Sequence, residues 1–493
     1  MIRIKRNGKE IFEKIVISAL CIIVAILCIG SFAEPWIWGG CDGRHVLIVA
    51  CFFCAFFGGI VFLFGKLSDK MLRIIILSGI LATFCIQIYI VFHMKLIPKV
   101  DLSHIYDQNI VMVTQKIVKF TDKEYFGFNT NNIPIAIIIY WVFRFANSLG
   151  CTDYRLAGGI FNVFMLLFFY CFSYGVLRKL TSIRITAVLM IFLLVNPMLY
   201  AYAGYYYTDT VSMPFTMLGV LLVLKAWKTE KRIFLKVLIY FTAGLIIGLA
   251  VKIRVTSIFI FLAFVVFLLW RQYRKDFLCF IGGVCMGYLL FAFMWSFLYD
   301  YHIDFDTRDT AIPVEHFLMM GSNSETNGKY LYSDVEFTQS FKTHEEKVVN
   351  DRSVWLKRII EKGVVGNLLF AAKKEVIVWC MGEKGYIQYT ENVEEETLCS
   401  QWISGSKSYP LRCYMQAYNG IMLLFIALGL IYMLQKEYSY MLIFVIFLMG
   451  ALIFYIFWEA HPRQSLSYAG IMTVMIVPFV EKSMQSSLRC GIK

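Results

Sequence analysis

Residues 98–109 read PKVDLSHIYDQN and form the first long polar interval in a chain made mostly of apolar runs. Asp101, His104 and Asp107 fall at positions i, i+3 and i+6, just after a long apolar segment. This placement predicts three polar side chains near the water boundary of a membrane, where a carboxylate can stay ionised beside a dry cavity. The interval is therefore the first candidate site for chemistry, and membrane helices are expected on both sides of it.

The composition excludes a soluble globular protein. The 493 residues are 59% hydrophobic and 17% aromatic, and the mean hydropathy is +0.66. Apolar segments of roughly 20 residues, each able to cross the ~30 Å hydrocarbon layer as a helix, recur along the chain. The sequence predicts an all-α polytopic membrane protein with about 12 to 13 transmembrane helices. The thirteen segments are 14–33, 45–65, 72–93, 133–149, 156–177, 184–200, 210–227, 234–251, 255–270, 277–298, 413–434, 438–457 and 464–480.

Charge is distributed unevenly along the chain. The polar interval 299–412 contains 18 acidic and 13 basic residues, so the rest of the protein carries a net charge of +18, mostly in short loops. This positive-inside pattern gives no support to a nucleic-acid partner, and it places the N-terminus and the basic cluster at 225–236 in the cytoplasm. The intervals expected to face outward are 31–44, 94–132, 201–209, 252–254, 299–412 and 458–463.

Five regions follow from this pattern. They are N-terminal spans (1–93), a first outer loop with an interfacial helix and the candidate chemistry (94–132), a core transmembrane module (133–298), an extracytoplasmic loop or small subdomain (299–412), and C-terminal spans with a cytoplasmic tail (413–493). Cys399 and Cys413 are both expected near the outer face, where they either pair or stay free.

The segment 133–149 conflicts with the charge pattern. An odd number of crossings must separate the outward interval 94–132 from the basic turn at 178–184, yet two apolar segments lie between them. Either 133–149 dips into the membrane without crossing it, or the basic turn is an exception to the charge rule. We favour the dip.

Asp209 follows the tyrosine-rich stretch 196–209, which reads NPMLYAYAGYYYTD. Most of these tyrosines are expected to be interfacial anchors. A lone acid at the head of a span is costly unless it faces water, a cation or a partner. Asp209 is therefore a candidate to bind a divalent cation, to orient a sugar hydroxyl or to pair with an arginine.

Two further outward turns carry cations. Lys252 and Arg254 interrupt an apolar stretch, and they either snorkel to lipid headgroups or clamp a phosphate, for which the guanidinium fork is suited. The short turn WEAHPRQ at 458–464 places Glu459 and Arg463 between two spans. Arg463 is a candidate second phosphate contact, and Glu459 either holds it or touches the sugar.

Carboxylates and arginines on one membrane face are suited to the transfer of a sugar from a lipid phosphate. One carboxylate must deprotonate the acceptor hydroxyl, and Asp101 is the candidate, with Asp107 as its rival. His104 and Tyr207 are candidate substrate contacts beside it. The sequence has no Walker loop, zinc motif or soluble nucleotide-sugar domain, so a cytoplasmic nucleotide sugar is not expected as donor.

The order of these motifs resembles the GT-C superfamily of glycosyltransferases. The features are an outer-loop acid (Asp101), Tyr-x-Asp at a span start (207–209), Gly-Leu-Ala leading to a cation (248–254) and Glu-x-x-x-Arg (459–463). The bacterial branch related to protein O-mannosyltransferases and aminoarabinose transferases is the most similar, and segments at 316–337 and 379–383 also resemble multi-span glycosyltransferases of Gram-positive bacteria.

The resemblance implies a polyprenyl-phosphate sugar donor, transfer with inversion at the outer face, and a base in the first outer loop. Asp101 would be that base, Asp209 a second acid, and Arg254 and Arg463 the phosphate contacts. Many relatives have paired acids in the first loop, whereas Val100 and Leu102 isolate Asp101 here. Many also read Arg-Tyr in the late turn, where this chain has Arg463-Gln464.

The expected activity is therefore hexosyl or pentosyl transfer from a polyprenyl-phosphate donor to a cell-envelope glycan, glycolipid or protein. A flippase or other transporter of lipid-linked oligosaccharides is one alternative, although transporters more often carry charges in mid-span. A polysaccharide polymerase or ligase that uses a diphosphate-linked donor is the other.

Overall fold

A computed structural model describes residues 2–38, 40–229, 233–436 and 438–490, and it describes the side chains within 8–35, 40–229, 233–436 and 438–486. The basic side chains of Arg3, Lys5, Arg6, Lys231 and Arg232, which contribute to the orientation argument, lie outside these ranges. The prediction that the N-terminus is cytoplasmic stays a prediction.

The described residues are almost entirely helical, and the one isolated β-bridge among them joins Leu96 to Val393. The first ten helices are α1 (Ile2–Trp38), α2 (Gly43–Lys66), α3 (Asp69–Met94), α4 (Asp101–Thr114), α5 (Lys123–Phe128), α6 (Ile133–Ser148), α7 (Tyr154–Leu180), α8 (Ile183–Leu194), α9 (Met198–Ala201) and α10 (Thr208–Trp227). The remaining helices are α11 (Ile233–Ile253), α12 (Phe259–Trp270), α13 (Arg274–His302), α14 (Val314–Gly321), α15 (Tyr332–Gln339), α16 (His344–Glu375), α17 (Ile387–Thr390), α18 (Leu398–Ile403), α19 (Tyr409–Gln435), α20 (Leu442–Phe457), α21 (Ala469–Met475) and α22 (Val477–Cys490).

Within the described ranges, nine helices are long and apolar enough to cross a membrane. They are α1, α2, α3, α7, α10, α11, α13, α19 and, together with a preceding 3₁₀ turn, α20. The all-α, multi-pass membrane class predicted from the sequence is confirmed. The helices begin where the sequence supplies caps: Asp42, Ser68 and Asp153 each accept a backbone N–H at the start of α2, α3 and α7.

Four of the thirteen predicted segments form shorter elements. The segment 133–149 becomes α6, whose 16 residues rise about 24 Å, less than the hydrocarbon thickness. This length agrees with a dip rather than a full crossing. The segments 184–200, 255–270 and 464–480 are each broken by non-α-helical residues, at Val195–Pro197, Val255–Ile258 and Pro462–Tyr468 respectively.

Small residues allow α11 and α13 to approach closely. A Cβ atom on Gly244, Gly283 or Gly287 would collide with the backbone of the opposite helix. Such close packing is typical of membrane helices, which gain little from burying apolar surface against each other in lipid.

A buried polar network ties α1 to the C-terminal part of the molecule. The Ser31 hydroxyl donates to the carbonyl of Cys380 at 3.0 Å. The Asn419 side-chain amide donates to the Ser31 hydroxyl at 3.0 Å, and the Gln416 amide donates to the Ser31 carbonyl at 2.5 Å. Gln416 also accepts from the backbone N–H of Gly382 at 2.6 Å. Together these bonds fix the chain that leads to α17, on one wall of the candidate site.

The region between α13 and α19 contains α14 to α18. The long helix α16 is kinked at Gly363, whose φ of 61° is left-handed and suits glycine. After the kink, Val364, Val365, Leu368 and Leu369 are 62–80% exposed, so this half of α16 presents an apolar face. Cys399 and Cys413 are both free thiols, so the two do not pair.

Candidate functional site

Two tyrosines hold the carboxylate of Asp101, the first residue of α4. The Tyr125 hydroxyl donates to Oδ1 at 2.8 Å, and the Tyr207 hydroxyl lies 3.1 Å from Oδ2. Asn132 links the two tyrosines, because its amide donates to the Tyr125 hydroxyl at 2.7 Å and its carbonyl oxygen lies 2.7 Å from the Tyr207 hydroxyl. Tyr125 donates its hydroxyl proton to Asp101, whereas Tyr207 shares its single proton between the Asn132 amide oxygen at 2.7 Å and Asp101 Oδ2 at 3.1 Å, so the carboxylate keeps room for a further donor.

Asp101 does not cap its own helix. The residue at the cap position of α4 is Val100, which makes no side-chain cap bond and has a φ of 55°. A β-branched residue rarely adopts this left-handed conformation, so the backbone directly before Asp101 is strained. Asp101 is half-buried, and its oxygens point to the tyrosines rather than to the helix N-terminus.

His104 and Asp107 lie on the exposed side of α4. The His104 ring stacks on Tyr125 at 3.9 Å, and its Nδ1 is 3.3 Å from Asp122. His104 therefore supports the ring that holds Asp101 and does not itself contact Asp101. Asp107 is exposed, and no hydrogen bond or ion pair joins it to Asp101, Tyr125, Asn132 or Tyr207 in the described part of the chain.

A buried ion triad lies beside this network. The Asp209 carboxylate, in the first turn of α10, sits between two guanidinium groups: Arg254 Nη1 is 2.7 Å from Oδ1 and Arg463 Nε is 2.9 Å from Oδ2. The side chain of Asp209 is 2% exposed and those of Arg254 and Arg463 are each 13% exposed. The triad carries a net charge of +1, so an anion is the ligand that it attracts.

The Arg463 guanidinium is surrounded by tyrosine rings. Its central carbon lies 4.3 Å from the ring centre of Tyr389, 4.9 Å from that of Tyr207 and 5.9 Å from that of Tyr205. Cation–π contacts of this kind hold a guanidinium without neutralising it. Tyr205, Tyr206 and Tyr207 are 1–4% exposed, so the expectation that most tyrosines of this stretch are membrane anchors is wrong for these three. The loop folds inward and places Tyr205 and Tyr207 against Arg463, whereas Tyr206 packs against Phe143.

Lys252 lies apart from the triad. It is exposed on α11, whereas Arg254, two residues later, turns inward and its Nη2 lies 3.4 Å from the carbonyl of Gln464. Arg254 directly follows the end of α11 and has extended backbone, with a φ of −150° and a ψ of 109°, so its side chain leaves the helix surface on which Lys252 stays exposed.

The turn 458–463 adds a carboxylate and a neutral imidazole. Burial raises the pKa of Glu459 to about 7, the positive charge of Arg463 opposes this rise, and the negative charge of Asp101 adds to it. Burial, with Arg463 next, lowers the pKa of His461 to about 3, so its ring is neutral. Since His461 Nδ1 accepts from the Arg463 backbone at 3.1 Å, its proton is assigned to Nε2 and points to the Tyr389 hydroxyl at 3.0 Å. The hydroxyl proton of Tyr389 is then available to a ligand.

Lys374 stabilises the turn 458–463 through hydrogen bonds to backbone carbonyls. Its ammonium group is fully buried and donates to the carbonyls of Gly321 at 2.6 Å, Ile456 at 2.9 Å and Trp458 at 2.6 Å. The three acceptors belong to the C-terminal ends of α14 and α20 and to the turn itself, where a cation also favours the helix dipoles. Lys374 thereby joins the outer region to the turn that bears Glu459.

A family model matches residues 39–464, and its description is "Conserved hypothetical integral membrane protein". The chain belongs to this family of integral membrane proteins. Among solved structures, ArnT from Cupriavidus metallidurans bound to undecaprenyl phosphate is similar at 11% identity and a TM-score of 0.34, over 83% of this chain and 78% of ArnT. No curated protein matches the sequence.

In this family member, no group of three metal-binding side chains comes together within the described residues. Both oxygens of Asp209, the predicted cation ligand, face guanidinium groups, which repel a metal ion. Sequence reasoning missed Tyr125, Asn132, Tyr389 and Lys374. Tyr389 and Lys374 carry no local motif, and Tyr125 and Asn132 belong to the same outer loop as Asp101 but stand 24 and 31 residues away in sequence.

Proposed function

We propose that this protein is a GT-C-type membrane glycosyltransferase that transfers a hexose or pentose from a polyprenyl-phosphate donor to a cell-envelope acceptor, with inversion. The observation that carries the proposal is the juxtaposition of Asp101, held by two hydroxyl groups, with the buried triad of Asp209, Arg254 and Arg463. Tyr207 connects the two parts, since it lies 3.1 Å from Asp101 and under the Arg463 guanidinium.

The proposed reaction uses Asp101 as the base. The acceptor oxygen attacks the anomeric carbon, its proton passes to the Asp101 carboxylate, and the bond between the anomeric carbon and the phosphate oxygen breaks. Asp101 is favoured over Asp107, because two tyrosines fix its oxygens whereas Asp107 is exposed and lies outside that network. A fixed carboxylate within reach of the acceptor is what general-base catalysis requires.

The triad is the proposed site for the donor phosphate. A polyprenyl-phosphate sugar is a phosphodiester with one negative charge, which equals the net charge of the triad in magnitude. When the sugar leaves, the phosphate gains a second charge, so its attraction to Arg254 and Arg463 grows as the reaction proceeds. Interactions that strengthen towards the transition state accelerate the chemical step.

The same charge argument disfavours a diphosphate-linked donor, which brings more negative charge than the triad balances. It gives no preference between a glycan, a glycolipid and a protein as acceptor.

A transport function would leave a fixed base beside the phosphate site without a role. We propose no divalent cation at Asp209, because its oxygens already face two guanidinium groups. The active site is proposed to lie on the extracytoplasmic side, as the positive-inside pattern predicts.

The test uses purified protein in lipid vesicles with radiolabelled undecaprenyl monophosphate and diphosphate sugars, assayed for new glycosides in extracted cell-envelope material. The wild type should use the monophosphate donors. Asp101→Asn should lower transfer at least ~10³-fold, the upper part of the range for loss of a general base. Asp107→Asn, the same change at an exposed carboxylate of the same helix, should retain activity. Full activity of Asp101→Asn, or use of diphosphate donors alone, would overturn the proposal.

A further inference from the structure

The second half of α16, residues 364–375, has two unlike faces. On one face lies Phe370, whose ring centre is 4.7 Å from the Lys362 ammonium and 5.8 Å from that of Lys374. The other face carries an apolar stripe of branched aliphatic side chains at positions i, i+1, i+4 and i+5, which share one side of a helix. The stripe consists of Val364, Val365, Leu368 and Leu369, which are 62–80% exposed. This half-helix is therefore amphipathic, and its apolar stripe points away from the protein.

The half-helix ends beside the end of a membrane-crossing helix. The Lys374 ammonium donates to the carbonyls of Ile456 and Trp458, which lie in the last turn of α20 and directly after it. On α20 itself, Ile453 and Phe457 are 53% and 47% exposed, and exposed apolar side chains of a membrane-crossing helix face lipid. The half-helix thus adjoins a surface that lipid covers.

The chain that follows the half-helix continues below the membrane surface. The carbonyl of Cys380 accepts from the Ser31 hydroxyl at 3.0 Å, and the Cys380 thiol donates to the carbonyl of Leu27 at 3.2 Å. Ser31 and Leu27 lie four and eight residues before Pro35, the last residue of the apolar span of α1. At a rise of 1.5 Å per residue, Cys380 lies about 6–12 Å inside that span. The segment from Lys374 to Cys380 therefore descends into the membrane, which places the half-helix before it at the membrane surface.

The chemistry of the half-helix fits a lipid surface. In water, the stripe would be a contiguous apolar patch of the kind that marks an interaction site. At a membrane surface, an amphipathic helix buries such a face among acyl chains and keeps basic residues at the level of the headgroups. Lys373 follows the stripe and is exposed, and its flexible stem lets the ammonium reach a lipid phosphate. A second copy of the chain would also cover the stripe, but it would not account for the continuity with the lipid-facing side of α20.

We propose that residues 364–373 form an interfacial helix whose partner is the lipid bilayer, with the apolar stripe inserted among the acyl chains of the leaflet that adjoins the turn 458–463. The proposal stands independently of the glycosyltransferase function. It places at the membrane a part of the interval 299–412, which the sequence predicts to be an extracytoplasmic loop or subdomain.

The experiment uses the full chain in vesicles of phosphatidylethanolamine and phosphatidylglycerol. The photo-crosslinking amino acid benzoylphenylalanine replaces Val365 or Leu368 in separate variants, and the products of illumination are identified by mass spectrometry. Val349 is the matched negative position, because it is 58% exposed on the same helix before the kink. Phe293 is the positive position, because it is 61% exposed on the membrane-crossing helix α13.

Phospholipid adducts at Val365 and Leu368 should be within about twofold of those at Phe293 and about tenfold more frequent than those at Val349. Because the replaced side chains are exposed, the Tm of each variant should stay within about 1 °C of the wild type, which shows that the variants fold. Two results would overturn the proposal. The first is a yield of phospholipid adducts at Val365 and Leu368 no higher than at Val349, while Phe293 is labelled. The second is a cross-linked dimer as the main product at Val365 and Leu368, which would make a second copy of the chain the occupant.

Discussion

Replacing Asp209 by asparagine should destabilise the protein and create a binding site for a free anion. The substitution preserves shape but removes the negative charge between Arg254 and Arg463, whose side chains are each only 13% exposed. Removing one partner of a buried ion pair costs about 3–5 kcal/mol, because the remaining charge is left buried without compensation. Here two guanidinium groups are left facing each other, so the upper part of this range is expected.

This cost translates into a measurable shift. For a chain of 493 residues, 1 kcal/mol corresponds to roughly 1 °C in Tm, so Asp209→Asn should unfold roughly 4–5 °C below the wild type in detergent. Inorganic phosphate at millimolar concentration should recover much of this loss, because it takes the place of the carboxylate, and it should affect the wild type less.

Asp107→Asn is the matched control, since it removes a carboxylate that is exposed on α4. Its Tm should stay within about 1 °C of the wild type, as expected for a surface substitution. The reasoning on the triad is refuted if Asp209→Asn unfolds at the wild-type temperature, or if phosphate stabilises the variant no more than it stabilises the wild type.

Two more predictions concern the turn that bears Glu459. Lys374→Met leaves three buried carbonyls without their donor, so we expect the free energy of unfolding to fall by about 2–4 kcal/mol. Because the turn that bears Glu459 loses its support, we also expect a lower kcat, with the KM for the donor little changed. Unchanged Tm and kcat in this variant would contradict the positioning role of Lys374. Folding raises the pKa of Glu459 from its ordinary value of about 4.5 to about 7, mainly through burial, so the stability that the neutral carboxyl allows is full below pH 4.5 and is lost as pH rises through 7. The Tm of Glu459→Gln should therefore equal that of the wild type near pH 4 and exceed it at pH 8. Equal Tm values at pH 8 would show that folding does not raise the pKa of Glu459.

The membrane helices could be predicted from the sequence because hydrophobicity over about 20 residues decides them. Nine of the thirteen predicted segments match such helices in the described residues. The remaining four are apolar but short or interrupted. The segment 184–200, for example, stops being helical at Val195 because Pro197 follows closely, and composition alone does not register that break.

The site was only partly predictable. Asp101, Asp209, Arg254 and Arg463 stand out because charged residues are rare at the ends of apolar runs, and the structure brings Asp209 together with both arginines. The sequence could not show that Asp209 pairs with both Arg254 and Arg463, since these arginines stand 45 and 254 residues from it along the chain. It also gave Lys252 the same weight as Arg254, because a short pattern does not reveal that the helix ends at Ile253, between the two cations.

The polar network around Ser31 bears on how the protein is made. Ser31 and its partners Gln416 and Asn419 are separated by 385 and 388 residues. At a synthesis rate of roughly 5–20 residues per second, α1 enters the membrane roughly 20–80 s before those partners exist. During that interval the polar groups of Ser31 need other neighbours, such as lipid headgroups or the insertion machinery. Helix α1 therefore reaches its final packing only after α19 has been made, and a chain interrupted before α19 leaves Ser31 without these two partners.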